Sequence, residues 1–274
     1  NDEVQMIQNK QVLNHQLNLL TQTCFKEKRS GGNAIDFLTQ FGVLNAKKIV
    51  ERWSQMNDPI AILGVDEHNE SIELNLSEHH EGPHGLIAGM TGSGKSVLLL
   101  NILLSIAVNC SPKDVNLLIV DYKGGSLFQQ LQVNGKRLPH VTGALSNHSG
   151  GIGRILSSIS YECKRRQKLF TEAHKRSSKS VSSLQEYRKL SKDFDLEPLA
   201  ELILVVDEFA ELKREKPEFM KDLISIARTG RSLGIHMILS TQKPSGVVDE
   251  QIWSNCRFKI CLKVQEKSDS SEVI

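Results

Sequence analysis

The segment that most constrains this chain is Gly89-Met90-Thr91-Gly92-Ser93-Gly94-Lys95-Ser96, which fits the pattern G-x-x-x-x-G-K-S. The apolar run GLIAG leads into the motif and a long apolar series follows it, so the motif joins a buried strand to a helix. Its glycines allow the backbone to turn successive N–H groups towards an anion, which the helix N-terminus also favours. The motif therefore predicts a loop that binds the phosphates of ATP.

The loop also predicts individual roles. Lys95 reaches the β- and γ-phosphates, and the hydroxyl of Ser96 ligates Mg²⁺. We expect the nucleotide to contact the whole stretch from Gly89 to Val97, with ATP and Mg²⁺ as the cofactors.

A second motif, LILVVDEFAEL, places two acidic residues after a buried strand. Ligands bind at the carboxyl ends of strands in open α/β sheets, so Asp207 is predicted to hold the Mg²⁺. Glu208 is predicted to polarise the attacking water, as hydrolysis of a nucleotide requires. The simpler alternative is a strand that ends in two solvated acids.

Polar residues also end a third apolar strand, HMILSTQ, at the same predicted edge. Gln242 is predicted to sense the γ-phosphate or to orient water, although STQ before Pro244 also suits an ordinary turn. Between the two strands, Arg228 and Arg231 flank a helix end with Gly230 as its C-cap. Either arginine is a candidate to stabilise phosphate charge on a neighbouring subunit, or it only satisfies helix carbonyls.

From residue 83 onwards, short apolar runs alternate with helical segments, which predicts an α/β core with a mainly parallel sheet covered on both faces. Residues 1–82 are predicted to form a lead-in, helical over 1–55 and followed by a β-hairpin. A basic helix is expected at 152–174, followed by a Ser-rich turn. Further helices are expected near 217–231 and 247–255.

Charge and cysteine content restrict the function further. The formal net charge is only +2, but residues 151–192 hold eleven Lys and Arg against three Glu. This segment suits an anionic partner or a solvated helical hairpin. The five cysteines have no metal-binding spacing, which indicates core thiols in a reducing compartment. No run approaches the ~18 apolar residues of a membrane span.

Several segments together resemble one family. EGPHGLIAGMTGSGKS, LLIVDYKGGS, LPHVTGALSN, LILVVDEFAEL and RTGRSLGIHMILSTQKPSG are similar to the FtsK/SpoIIIE-type ATPase domains. The likeness is greatest to the membrane-anchored EssC/YukB-type ATPases of type VII secretion systems, and it extends from about residue 35. Two positions depart from the family pattern: Val97 replaces the usual Glu, and Ser126 replaces a third glycine.

The resemblance implies a RecA-like P-loop NTPase core and an ATPase that powers export of WXG-type helical-hairpin proteins. It also implies a cytoplasmic domain of a membrane-anchored bacterial protein, with tandem ATPase domains and a hexameric ring as partners. Two alternatives stay open: a DNA translocase of the same architecture, although nucleic acid is not the expected partner, and a regulatory copy that binds ATP with little turnover.

Overall fold

The structure is a computed structural model that describes residues 41, 46–55, 58–68, 70–122, 124–133, 135–146, 151–244, 248, 250–265, 270–271 and 273. Its lead-in consists of helix α1 (Ala46–Trp53) and a hairpin of strands β1 (Ile60–Val65) and β2 (Ser71–Asn75). The predicted hairpin is therefore confirmed. Most of the predicted helical stretch 1–55 lies outside the described residues.

The core alternates strands and helices, as the sequence predicts. In chain order its elements are β3 (His84–Ala88), α2 (Lys95–Asn109), β4 (Val115–Asp121), α3 (Ser126–Gln130), β5 (Gln132–Val133), β6 (Lys136–Arg137), β7 (Val141–Ser146), α4 (Ile152–Ser177), α5 (Leu184–Ser191), β8 (Glu201–Asp207), α6 (Phe209–Glu215), α7 (Met220–Thr229), β9 (Ile235–Thr241), α8 (Glu250–Asn255) and β10 (Phe258–Cys261). A short 3₁₀ turn, Pro217–Phe219, joins α6 to α7.

Six of these strands form one sheet in the order β10-β3-β9-β8-β4-β7, and all neighbouring pairs are parallel. Because β9 lies between β3 and β8, it separates the strand before the glycine-rich loop from the strand that ends in Asp207. All three strands end at the same edge of the sheet. The α/β parallel fold is thus confirmed.

Side chains of the central strands alternate between two apolar layers, since successive residues of a strand point to opposite faces. In β8, Ile203 and Val205 pack with α2 and the lead-in, whereas Leu204 and Val206 pack with the later helices α4 to α8. Both faces of the sheet are therefore covered, which explains the nearly continuous apolar runs of these strands.

Three polar residues lie inside the apolar helix α2, and each bonds to the lead-in hairpin. Asn101 Nδ2 and Ser105 Oγ donate to the carbonyl of Ile62 at 2.9 and 3.2 Å, and Asn109 Nδ2 donates to that of Ile60 at 2.7 Å. Their spacing of four residues puts them on one side of the helix. They satisfy carbonyl groups on the outer edge of β1 and join the hairpin to the core. The predicted domain boundary at residue 82 stays a prediction.

Two local predictions are corrected, and the predicted C-cap at Gly230 is confirmed. The basic helix α4 extends to Ser177, beyond residue 174, and the Ser-rich turn is short because Ser183 caps α5 by accepting from the Glu186 N–H at 3.3 Å. Gly230 follows α7 as its C-cap but keeps a right-handed conformation, and Gly234 adopts the left-handed one at φ 70°. A Cβ at Gly230 would lie 2.7 Å from the Ile226 carbonyl oxygen, so close packing explains that glycine.

No helix among the described residues combines the length and the apolar content that a bilayer crossing requires. Cys110, Cys163 and Cys256 are free and buried, as predicted for core thiols.

Candidate nucleotide-binding site

The glycine-rich loop connects β3 to α2 at the carboxyl edge of the sheet. Gly92 and Gly94 have φ values of 80° and 91°, a left-handed region that favours glycine. A Cβ at Gly89 would lie 2.5 Å from Ser93 Oγ, so the loop curls too tightly there for a side chain. Helix α2 starts at Lys95, and the first N–H groups of a helix have no intrahelical partners. The loop therefore has the geometry of an anion-binding turn.

The Lys95 side chain joins the ends of two central strands, β8 and β9. Its Nζ lies 3.1 Å from Asp207 Oδ1, 3.5 Å from Glu208 Oε2 and 2.9 Å from Ser240 Oγ. The side chain is only 3% exposed, so two buried carboxylates share one buried ammonium group. The structure thus brings together the predicted phosphate ligand, the predicted metal ligand and the predicted base.

The two carboxylate oxygens of Asp207 differ. Oδ1 accepts hydrogen bonds from Lys95 Nζ, from Ser240 Oγ at 2.7 Å and from the Glu208 N–H at 3.1 Å. Oδ2 is buried and accepts none from the described residues. Buried polar atoms in proteins nearly always have a hydrogen-bond partner, so a buried oxygen without one indicates a position for a ligand. Oδ2 lies at the edge of the sheet where ligands bind in α/β folds. A hydrated Mg²⁺ fits it, because Mg²⁺ prefers oxygen ligands and retains several waters.

Glu208 has an unusual backbone. Its φ of 60° and ψ of 55° are left-handed, which costs a residue with a side chain about 1–2 kcal/mol. Glu208 directly precedes α6, and its Oε1 accepts a hydrogen bond from the Gln242 N–H at 3.1 Å. Such strain at a ligand-binding edge indicates a functional constraint on the position of this carboxylate.

Gln242 is held from the opposite side by the glycine-rich loop. Thr91 Oγ1 donates to Gln242 Oε1 at 2.8 Å, and the Gly89 N–H donates to the Thr241 carbonyl at 3.1 Å. The predicted sensor therefore contacts both the loop and, through its N–H, Glu208. Sequence reasoning placed Thr91 in the nucleotide-binding loop but missed its contact with Gln242, and it assigned no role to Ser240. A sequence signal for Ser240 does exist: successive residues of a strand point to opposite faces, so Ser240 and Gln242 lie on the same side.

Beside Glu208, a cleft of about 330 Å³ opens to solvent, lined by Tyr122, Glu208, Ala210, Glu211, Glu215, Gln242 and Lys243. Burial raises the pKa of the Tyr122 hydroxyl, and the charges on Glu215 and Glu218 raise it further. Tyr122 therefore keeps its proton and offers a hydroxyl group to the cleft. The cleft is the side of the site at which Glu208 faces solvent.

Of the remaining predicted site residues, two directly follow Lys95 on α2 and two lie before β9. Ser96 is half-buried on the first turn of α2, and the Val97 side chain is 70% exposed. Arg228 and Arg231 precede β9, at the opposite end of a seven-residue strand from Ser240, about 20 Å away. Both arginines are exposed, and Arg231 Nε pairs with Glu78 Oε1 at 3.2 Å. Neither arginine is placed to contact the phosphate-binding loop of its own chain.

Known proteins match this chain over most of its length. The FtsK/SpoIIIE family profile matches residues 43–246. The ESX secretion system protein EccC of Geobacillus thermodenitrificans is 47% identical over 237 residues, which cover 84% of this chain and 15% of that protein. The type VII secretion system protein EssC of Staphylococcus aureus (strain NCTC 8325 / PS 47) is 45% identical over 252 residues, which cover 88% of this chain and 16% of that protein.

A solved structure is also similar. The cytoplasmic domain of the Thermomonospora curvata type VII secretion ATPase EccC matches with a TM-score of 0.71 and 31% identity, over 87% of this chain and 28% of that one. The chain thus spans only 15 to 16% of the two full-length relatives.

Proposed function

Because this chain belongs to the FtsK/SpoIIIE family, we propose that it is an ATP-hydrolysing domain of a type VII protein-secretion motor. The cluster in which Lys95 contacts Asp207, Glu208 and Ser240 carries this proposal. It unites a phosphate ligand, a metal-binding acid and a base at one edge of the sheet. The sequence likeness to EccC and EssC supports the secretion role.

In this proposal each group of the site has one task. The amide groups of Gly89–Val97 and the ammonium group of Lys95 hold the triphosphate. Ser96 and Asp207 hold Mg²⁺, which neutralises charge on the phosphates when bound. Glu208 takes a proton from the attacking water, and the strained backbone and the Gln242 N–H keep its carboxylate in place. Gln242 senses the γ-phosphate side of the site.

The partners are also a proposal. The motor would work beside tandem ATPase domains and neighbouring subunits, in a ring that is a hexamer in the family. Its secreted substrates would be WXG-type helical hairpins. The similar EccC structure is a cytoplasmic domain, so we place this domain in the cytoplasm, with membrane anchoring supplied by parts of the protein outside this chain.

ATP turnover, measured over a wide range of protein concentration beside a nucleotide-binding titration, tests the proposal. We expect turnover per molecule to rise with concentration, because a ring completes each site with a neighbour. Lys95→Ala should abolish binding, and Lys47→Ala, at a residue whose side chain is 86% exposed, serves as the control. Tight binding with negligible turnover at every concentration would overturn hydrolysis in favour of a regulatory nucleotide site.

DNA translocation is the second candidate function, and the outer face of α4 favours it. Arg154, Lys164, Lys168 and Lys175 lie exposed along this face, and clustered cations neutralise DNA phosphates. The near-neutral charge of the whole chain, +2, favours the secretion role instead. A lack of binding to duplex DNA at low salt would exclude DNA translocation.

A further inference from the structure

Ser240 stands where the three central strands meet. It is the second-last residue of β9, it is fully buried, and it lies between the end of β3 and the end of β8. Its hydroxyl group donates to Asp207 Oδ1 at 2.7 Å and accepts from Lys95 Nζ at 2.9 Å. A serine hydroxyl has one proton and two lone pairs, so both bonds can form together.

Among the three donors to Asp207 Oδ1, Ser240 alone is suited to hold the carboxylate throughout a reaction cycle. Lys95 is proposed to bind the phosphates, so its hydrogen bond to Asp207 Oδ1 is lost or weakened when a nucleotide is bound. The N–H of Glu208 belongs to the adjacent residue and lies 3.1 Å away. The Ser240 hydroxyl belongs to the neighbouring strand β9 and makes the shortest of the three hydrogen bonds. No phosphate-binding role is proposed for it.

We propose that Ser240 is a positioning residue that occupies Asp207 Oδ1 and so directs Oδ2 towards the hydrated Mg²⁺ of the site. Oδ2 is the oxygen that the described residues leave without a hydrogen bond. When one carboxylate oxygen is hydrogen-bonded to a residue of a neighbouring strand, the other oxygen points in a fixed direction. Groups that orient a metal ligand in this way change metal affinity by roughly 10–100-fold when removed. This inference rests on the proposed function.

Ser240→Ala tests the role, and Ser105→Ala is its matched control. Both serines are fully buried and each donates one hydrogen bond, but Ser105 donates to the Ile62 carbonyl, far from the site. The readout is binding of a fluorescent, non-hydrolysable ATP analogue, titrated with Mg²⁺ and repeated without it. Thermal unfolding of both variants reports how much each loses in stability.

For Ser240→Ala we expect the half-saturating Mg²⁺ concentration to rise about tenfold, while Mg²⁺-free binding of the analogue stays within about twofold. Ser105→Ala should match the wild type in both titrations, even if it unfolds at a lower temperature. Ser240→Thr, which retains a hydroxyl group, should recover part of the Mg²⁺ response.

Two results would overturn the inference in distinguishable ways. A wild-type Mg²⁺ response in a folded Ser240→Ala variant, or an equal shift in Ser105→Ala, would refute the role of Ser240 and leave the proposed function intact. A wild-type protein that binds the analogue neither with nor without Mg²⁺ would refute the proposed function, and the role of Ser240 with it.

Discussion

The N–H of Gln242 donates to Glu208 Oε1 at 3.1 Å, although 34 residues separate the two in the chain. The residue after β9 thereby holds the carboxylate that follows β8. Because Thr91 Oγ1 donates to the side chain of the same glutamine, the proposed sensor, the proposed base and the glycine-rich loop form one hydrogen-bonded unit.

Glu208→Gln should preserve nucleotide binding and slow hydrolysis at least ~100-fold, because the amide keeps the shape of the side chain but cannot take a proton at neutral pH. The amide oxygen can still accept from the Gln242 N–H, so the loop after β9 should stay in place. Single-turnover hydrolysis beside a binding titration measures both effects. An unchanged rate would assign the base to another residue.

The left-handed backbone of Glu208 predicts a reversed order of stability for two small substitutions. Glu208→Gly should be more stable than Glu208→Ala by about 1 kcal/mol, since only glycine adopts this conformation without strain. At Glu211, within α6, the order should be the ordinary one, with the alanine variant more stable. Urea unfolding of the four variants measures this. Equal stability of the two Glu208 variants would contradict the left-handed conformation.

Thr91→Val should lower the hydrolysis rate about 2–12-fold, the kinetic equivalent of one neutral hydrogen bond of 0.5–1.5 kcal/mol. The cause is the loss of the Thr91 bond to Gln242 Oε1. Thr91→Ser keeps the hydroxyl group and should behave as the wild type.

A double-mutant cycle separates this coupling from a general effect. Once Gln242→Ala has removed the acceptor, adding Thr91→Val should cost little more. Fully additive losses in the double variant would show that the two side chains act independently.

Both arginines are exposed, but Arg231 pairs with Glu78, so Arg228 is the better candidate to act on a neighbouring site. Arg228→Ala should abolish the rise of turnover with concentration, and Arg231→Ala should retain most of it.

Mixing inactive variants tests the action in trans. A mixture of Lys95→Ala and Arg228→Ala proteins should regain turnover, because some interfaces then combine an intact loop with an intact arginine. Failure of every mixture to recover activity would contradict a role for Arg228 across an interface.

Two buried histidines predict acid-sensitive stability. Burial lowers the pKa of His84 to about 3, helped by the charge of His236, and burial lowers that of His140 to about 4. The Nε2–H of His140 donates to the Cys110 carbonyl at 2.8 Å, and the residue is fully buried.

Because the unfolded chain binds these protons near pH 6.5 and the folded one does not, stability should fall as the pH drops from about 6.5 towards 4. Each histidine contributes up to about 1.4 kcal/mol per pH unit. Urea unfolding at pH 7 and pH 5.5 measures the slope, which His140→Gln should reduce. An equal slope in the wild type and the variant would contradict the neutral, buried state of His140.

Much of the site follows from local sequence. Three short patterns depend mainly on adjacent residues: the glycine-rich loop, the acidic pair at the end of β8 and the polar residues at the end of β9. The sequence therefore predicts where these strands end. No local sequence pattern predicts the left-handed conformation of Glu208. A glutamate rarely adopts it, and here contacts with residues distant in the sequence stabilise it.

The parallel α/β core and the loop around Lys95 can be predicted from sequence, because they depend on apolar runs and glycine positions that lie within a few residues of each other. The folding of the whole chain, in contrast, places β9 between β3 and β8. Ser240 therefore contacts both Lys95 and Asp207, which are 145 and 33 residues away from it in the sequence. The folding of the whole chain also places Arg228 at the far end of the sheet. Strand order results from the packing of the whole chain, and no local pattern encodes it.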